Sequence, residues 1–181
     1  GPPRRELGVP TTFNFLGPLA NPARVRRQVV GVSDPGMAER VARTLDELGV
    51  TRAMVFFGHD GLDELTTTDV STLWELRDGS IERRLVDPLD LGIQRASAES
   101  LRGGDPARNA AIALEVLDGK SPAVRDVVLL NAAAALVVAD AEPDLEAGVA
   151  RAAASIDSGR AAAALEALVK VSSAARAEEA G

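Results

Sequence analysis

"QVVGVSDPGMAERVARTLDELGVTRAMVFFG", Gln28–Gly58, decides the fold. Its first six residues, Gln28–Ser33, form an apolar run of strand length. Ser33-Asp34-Pro35 then reads as a helix start: a side-chain oxygen accepts from the orphan amides of the first turn, and proline sits where a missing N–H costs nothing. Met37, Val41, Leu45 and Leu48 recur at i, i+4, i+8 and i+11, one face of a helix. Gly49 supplies the stop, because a helix commonly ends on a left-handed residue and glycine takes that conformation without a Cβ clash. Arg52–Gly58 is the second apolar run. Strand, helix and strand within about 30 residues make a βαβ unit, two parallel neighbours joined by a right-handed crossover.

Downstream the pattern changes. "STLWELRDGSIERRLVD" (71–87) alternates on both sides of Asp78-Gly79, a strong hairpin signal. A looser stretch runs to about residue 104. Asp105-Pro106 predicts the N-cap and first turn of a helix over 106–118, closed by Gly119. Ser121-Pro122 opens "AVRDVVLLNAAAALVVAD", apolar nearly all round and therefore central. Two more helical runs follow at about 143–157 and 159–178, and the last residues, "ARAEEAG", are expected to fray. Residues 1–27 are broken by Pro10, Gly17, Pro18 and Pro22. A short helix is expected there around Thr12–Leu16, with Phe13, Phe15, Leu16 and Leu19 turned inward. The expectation is one α/β domain, a mixed parallel and antiparallel sheet covered by helices.

Composition narrows the function classes. The 181 residues carry a formal charge of -7, with 46% hydrophobic and 26% charged residues, which fits a soluble globular domain and argues against a duplex nucleic-acid binder. Cysteine is absent, so disulfides, thiolate metal sites and cysteine nucleophiles are excluded. No apolar run approaches the roughly 18–20 residues of a membrane span. The start, "GPPRRELG", has no signal-peptide core, so the expected location is the cytoplasm, with no membrane and no nucleic-acid partner.

Chemistry concentrates in "GHDGLDELTTT" (58–68), just past the second strand. Asp63 and Glu64 are hard oxygen ligands, and Mg²⁺ usually takes one or two carboxylates and leaves its other positions to water and phosphate. Adjacent carboxylates on a strand point to opposite faces; on an irregular loop both can turn to one side. That loop lies beyond the carboxyl end of a parallel strand, where open α/β sheets bind ligands. Two acids on a loop are equally a solvated turn, and the local pattern leaves both readings open. His59, the only histidine, has the right pKa for a general base, but no nucleophile or orienting acid is ordered around it. "LRGGDPARNA" (101–110) is rich in glycine before a helix, yet it follows no strand and matches no phosphate-loop spacing; Asp105 as N-cap explains it better. Arg4-Arg5 and Arg24, Arg26 and Arg27 are cationic clusters suited to gripping carboxylate or phosphate, or to plain solvation.

The pieces "RRELGVPTTFNFLGPLANPA" (4–23), "QVVGV", "DGLDELTTT", "GGDPARNAAIALEVLDG" and "VLLNAAAAL", in this order, resemble the C-terminal half of the anthranilate phosphoribosyltransferases. "FNFLGPLANP" is the most specific, since no periodicity requires it; "GLDE" four residues past a strand is the second. The resemblance runs over essentially the whole chain. It implies transfer of the phosphoribosyl group of 5-phosphoribosyl-1-pyrophosphate (PRPP) to the amine of anthranilate with Mg²⁺, in tryptophan biosynthesis. It matches Asp63 and Glu64 to the acids that hold the Mg²⁺ bound to pyrophosphate, Arg4 to the arginine that meets anthranilate, and Pro18 to a proline of the same pocket. It gives His59 no role and names no catalytic acid or base.

The family pattern also has parts that this chain does not contain: a small helical domain, a Gly-rich PRPP loop and further phosphate-binding segments, all upstream. The chain is accordingly expected to be a single α/β domain over 1–181, incomplete at its N-terminal side and inactive alone. The family is expected to be homodimeric through the helical domain. Two other readings stand beside this one: a folded module without catalysis, and a pyrimidine nucleoside phosphorylase-like enzyme, which "LGPLANP" fits less well.

Overall fold

The computed structural model describes residues 13–179. In chain order the elements are α1 (Phe13–Leu19), β1 (Arg27–Gly31), α2 (Pro35–Glu47), β2 (Arg52–Gly58), β3 (Ser71–Arg77), β4 (Ser80–Val86), two 3₁₀ turns at Pro88–Leu91 and Ala98–Leu101, α3 (Pro106–Leu117), α4 (Pro122–Val138), α5 (Leu145–Asp157) and α6 (Arg160–Glu179). The strands stand side by side in the order β1-β2-β3-β4. β1 and β2 are parallel; the other two pairs are antiparallel. The mixed sheet expected from the sequence is the one observed.

The βαβ unit forms for the reasons the residues suggested. Asp34 accepts the Gly36 amide at 2.8 Å, and proline occupies the first turn of α2. Along β2 the side chains alternate: Ala53 and Val55 face α2, and Met54 and Phe56 face α4. α2 buries Ala38, Val41, Ala42 and Leu45 against the first face. α4 buries Leu130, Ala133, Ala134, Val137 and Val138 against the second. Leu48 departs from the helical face assigned to it. The helix ends at Glu47, so Leu48 is the cap residue and is 58% exposed.

The hairpin turns on Asp78 and Gly79, with φ of 48° and 84°; two successive positive φ values match the twist of the flanking strands. β4 does not bury its alternate side chains. Glu82, Arg83, Arg84 and Leu85 are exposed, because β4 is the edge strand and the covering helices sit over the strands before it. In the N-terminal stretch the helix described, Phe13–Leu19, runs past the expected end at Leu16, with Pro18 in its last turn. Leu19 packs against the α2 face of the sheet, while Leu16 is exposed. The loose stretch after β4 contains the two 3₁₀ turns, each opened by a side-chain cap, Asp87 and Ser97.

α3, α5 and α6 form an outer layer around α4, centred on Val116, Leu129, Ala152 and Ile156. α5 lies close on α4: a Cβ built on Gly148 would come 2.8 Å from the Ala133 Cα and Cβ. The C-terminal end of α4 meets Arg27, which donates to the Ala139 carbonyl at 2.6 Å and pairs, with Arg52, to Asp140. Cations there complement the helix dipole. No single helix among the described residues is long and apolar enough to cross a membrane.

Candidate active site

The loop His59–Val70 lies beyond the carboxyl ends of β1 and β2. It is closed at its neck by the His59 amide donating to the Val70 carbonyl at 3.0 Å, and within it the Gly58 amide donates to the Leu62 carbonyl at 2.9 Å. Leu65, Thr66 and Thr67 are fully buried, so the second half of the loop reaches into the core while the first half is presented to solvent. His59, Asp60, Leu62, Asp63 and Glu64 form the exposed half.

Three polar side chains fasten the buried half. The Asp60 carboxylate accepts from the Thr66 hydroxyl at 2.6 Å, from the Thr68 hydroxyl, and from the Leu62 amide at 3.2 Å. Asn131, from the middle of α4, accepts the Leu65 amide at 3.0 Å and donates to the Leu65 carbonyl at 2.9 Å. Its amide nitrogen also donates to the Val127 carbonyl at 3.0 Å, which fixes its rotamer. Ser71 Oγ accepts the Thr66 amide at 3.0 Å, and the Thr67 carbonyl accepts the Ala96 amide at 2.9 Å. The loop is thus tied to the sheet, to α4 and to the stretch after β4.

Partial burial of the Asp60 carboxyl works to raise its pKa. The hydrogen bonds from Thr66, Thr68 and Leu62 outweigh that and leave it below its ordinary value. A carboxylate with a depressed folded pKa contributes stability that is present above the ordinary aspartate range and lost as pH falls through the folded value. Acid unfolding of the native chain is therefore expected to include a contribution that Asp60→Asn lacks. Comparing thermal midpoints of the two chains between neutral pH and pH ~3 measures it, and parallel curves would remove Asp60 as a latch.

Asp63 and Glu64 sit at the exposed crest. Neither has an ion-pair partner among the described residues. Partial burial, and then the neighbouring Asp63 charge, push the Glu64 carboxyl above its usual value. Two adjacent carboxylates that repel one another, with no cation to answer them, have the donor chemistry of a divalent-cation site. No group of three or more acidic or histidine side chains converges as a closed metal cage among the described residues. The pair therefore fits an open Mg²⁺ site, in which phosphate and water complete the shell, and not a structural one.

The other sequence candidates fall into place separately. His59 Nε2 is 2.8 Å from the Thr72 hydroxyl, and its ring is tilted against Phe57 at 6.1 Å between centroids; both contacts are structural. In "RGGD" Asn109 accepts the Gly104 amide at 2.7 Å and returns a bond to the Gly104 carbonyl, while Asp105 caps α3. That loop is folded onto its own helix. Arg27 is engaged by α4, as above. Pro18 lines a cavity of about 430 Å³ with Leu19, Asn21, Arg24, Gln28 and Val50. That cavity is at the starts of β1 and β2, whereas Asp63 and Glu64 follow the end of β2, a strand length of roughly 20 Å away. Arg4 lies outside the described residues.

Sequence reasoning did not identify Asp60 or Asn131 as supports of this loop, nor Gly31 as the strand residue against which the Asp63 main chain lies. A signal for Asn131 was present: one carboxamide in an otherwise apolar helix must find partners. For Gly31 the signal was a glycine inside a buried strand, which often marks a close backbone approach.

Residues 1–162 match the family model described as "Glycosyl transferase family, a/b domain". The chain is 53% identical over 182 residues to an anthranilate phosphoribosyltransferase of Thermobifida fusca, covering 98% of this chain and 52% of that one. The crystal structure of the Thermus thermophilus enzyme of the same name superposes with a TM-score of 0.84 at 38% identity, over 94% of this chain and 50% of that one. The Saccharomyces cerevisiae enzyme in complex with PRPP and Mg superposes with a TM-score of 0.78 at 27% identity, over 90% and 47%. The chain spans about half the length of the curated relatives it matches.

Proposed function

Because the chain belongs to the glycosyl transferase family through its a/b domain, we propose that it serves the transfer of a phosphoribosyl group from PRPP to anthranilate, giving N-(5-phosphoribosyl)anthranilate and pyrophosphate in tryptophan biosynthesis. The observation that carries the reading is the acid pair: adjacent carboxylates beyond the ends of two parallel strands, the Glu64 carboxyl pushed up, and no cation paired with either among the described residues. The names of the matching relatives favour anthranilate over a nucleoside as the partner of the sugar.

In the reaction the ribose C1–O bond breaks, pyrophosphate leaves with the bonding pair, the aniline nitrogen bonds to C1, and its proton passes to solvent. Asp63 and Glu64 would hold Mg²⁺, which when bound would supply positive charge to answer the charge that builds on the leaving pyrophosphate. Asp60 and Asn131 keep the loop in one conformation, so that no reorganisation is needed when charge develops. The aniline requires no strong base once cation character builds at C1, so His59 is left to its structural contacts. The resemblance assigns Arg4 to the anthranilate carboxylate, aligning the amine with C1, and Pro18 to the same pocket, although Pro18 borders a cavity at the opposite end of the strands from Asp63 and Glu64. Those two assignments, and a homodimeric assembly, rest on the resemblance alone.

The test joins this chain to the N-terminal half of the Thermobifida fusca relative and assays it with anthranilate, PRPP and Mg²⁺. Transfer is expected from the joined protein and none from the 181 residues alone. A joined protein that folds, ignores anthranilate and cleaves a pyrimidine nucleoside with phosphate would replace this reading with the phosphorylase one. Full activity in the 181 residues alone would overturn the expectation that this chain is half a site.

A further inference from the structure

At the end of β1 the acid loop comes down on a glycine. A Cβ built on Gly31 would overlap the Asp63 carbonyl oxygen and lie 2.5 Å from the Asp63 carbonyl carbon and 3.3 Å from its Cα. All three are main-chain atoms, so no side chain can swing aside to make room. Gly31 is not in the left-handed region, and it pairs with Phe56 in the parallel ladder like any strand residue. Space alone, then, demands glycine here. Gly58, at the end of the neighbouring strand, repeats the arrangement less tightly: its Cβ would lie 2.6 Å from Asp60 Oδ1 and 3.2 Å from the Glu64 and Leu62 carbonyl oxygens.

We infer that Gly31 is a positioning residue for the Asp63–Glu64 pair. The missing side chain lets the main chain at Asp63 rest on the end of β1. That contact fixes the point from which both carboxylates project. Any Cβ at position 31 lifts the crest of the loop, and the two acids lose their common aim before the rest of the sheet is disturbed. The functional meaning of this rests on the reading of Asp63 and Glu64 as metal ligands.

The experiment uses the full chain with Mn²⁺ as probe, in the presence of inorganic pyrophosphate, counting free Mn²⁺ by its paramagnetic resonance signal. Native chain is expected to bind, and Asp63→Asn with Glu64→Gln to lose binding. Gly31→Ala is expected to weaken it by at least about tenfold with an unchanged circular dichroism spectrum, the range seen when groups supporting metal ligands are altered. A folded Gly31→Ala chain that binds within about twofold of native overturns the inference, since a supporting contact would have cost more. A second measurement compares Gly31→Ala in the native loop with Gly31→Ala in a loop loosened by Asp63→Gly and Glu64→Gly. The loss of thermal midpoint is expected in the native loop and largely relieved in the loosened one. If Gly31→Ala does not fold in the native loop, folding in the loosened loop supports the inference and failure there overturns it, as does an equal loss in both. Should the native chain and the acid-pair variant bind Mn²⁺ alike, the metal reading fails, and the loop comparison still decides Gly31.

Discussion

Asp63→Asn with Glu64→Gln, in the joined protein described above, is expected to lower kcat for phosphoribosyl transfer by roughly three orders of magnitude, as removal of a group that answers transition-state charge does. The same variant is expected to lose its response to added Mg²⁺. The chain should not unfold. Both replacements keep the shape of the side chain, both residues are at the exposed crest, and the change relieves the partial burial of a charge and then the Asp63 repulsion, which together push the Glu64 carboxyl up. The combination of intact fold and lost metal response is what separates a ligand role from a structural one. Initial rates across a Mg²⁺ titration check it; an unchanged rate and metal requirement would show that the pair plays no part.

Asn131→Ala is expected to cost about 3 kcal/mol of folding stability, because it leaves both the Leu65 amide and the Leu65 carbonyl without partners beside a side chain that is fully buried. In a chain of this size that is a drop of roughly 6–12 °C in thermal midpoint. The effect should reach beyond stability, since Leu65 immediately follows Glu64, and release of its main chain frees the acid pair. Asn131→Asp is the sharper variant: it keeps an acceptor for the Leu65 amide but turns an oxygen toward the Leu65 carbonyl. Thermal unfolding of the two variants checks the prediction, and a loss below about 1 kcal/mol for Asn131→Ala would mean that water or a local shift satisfies Leu65.

The parts of the fold that were legible in the sequence are those written in neighbouring residues. Asp34, Pro35, Val41 and Leu45 announced α2 because a cap and a period are local facts. Asp78-Gly79 announced the hairpin because few other pairs take two positive φ values. The place of the acid pair was legible for the same reason, as a polar run after an apolar strand. What holds the pair was not. Asn131 and Leu65 are 66 residues apart, and Gly31 meets Asp63 across the parallel pair, so no local pattern expresses either contact. Among four acids in one short loop, the sequence could not say that Asp60 turns back onto Thr66 and Thr68 while Asp63 and Glu64 turn out. On β4 the alternation was real but misleading, since an edge strand outside the reach of the covering helices has little to bury it.

The strand order β1-β2-β3-β4 also bears on how the domain assembles. Each strand pairs only with its neighbour in the chain, so the sheet closes no loop longer than the α2 crossover. Pairings of this kind demand the least loop-closure entropy, and folding speeds up as contacts become more local. The long-range event is the return of α4 across the finished sheet, the step in which Asn131 reaches Leu65. The order of least entropic cost is thus hairpin and βαβ unit first, α4 after them, and the acid crest last, acquiring its shape only once the helix has landed.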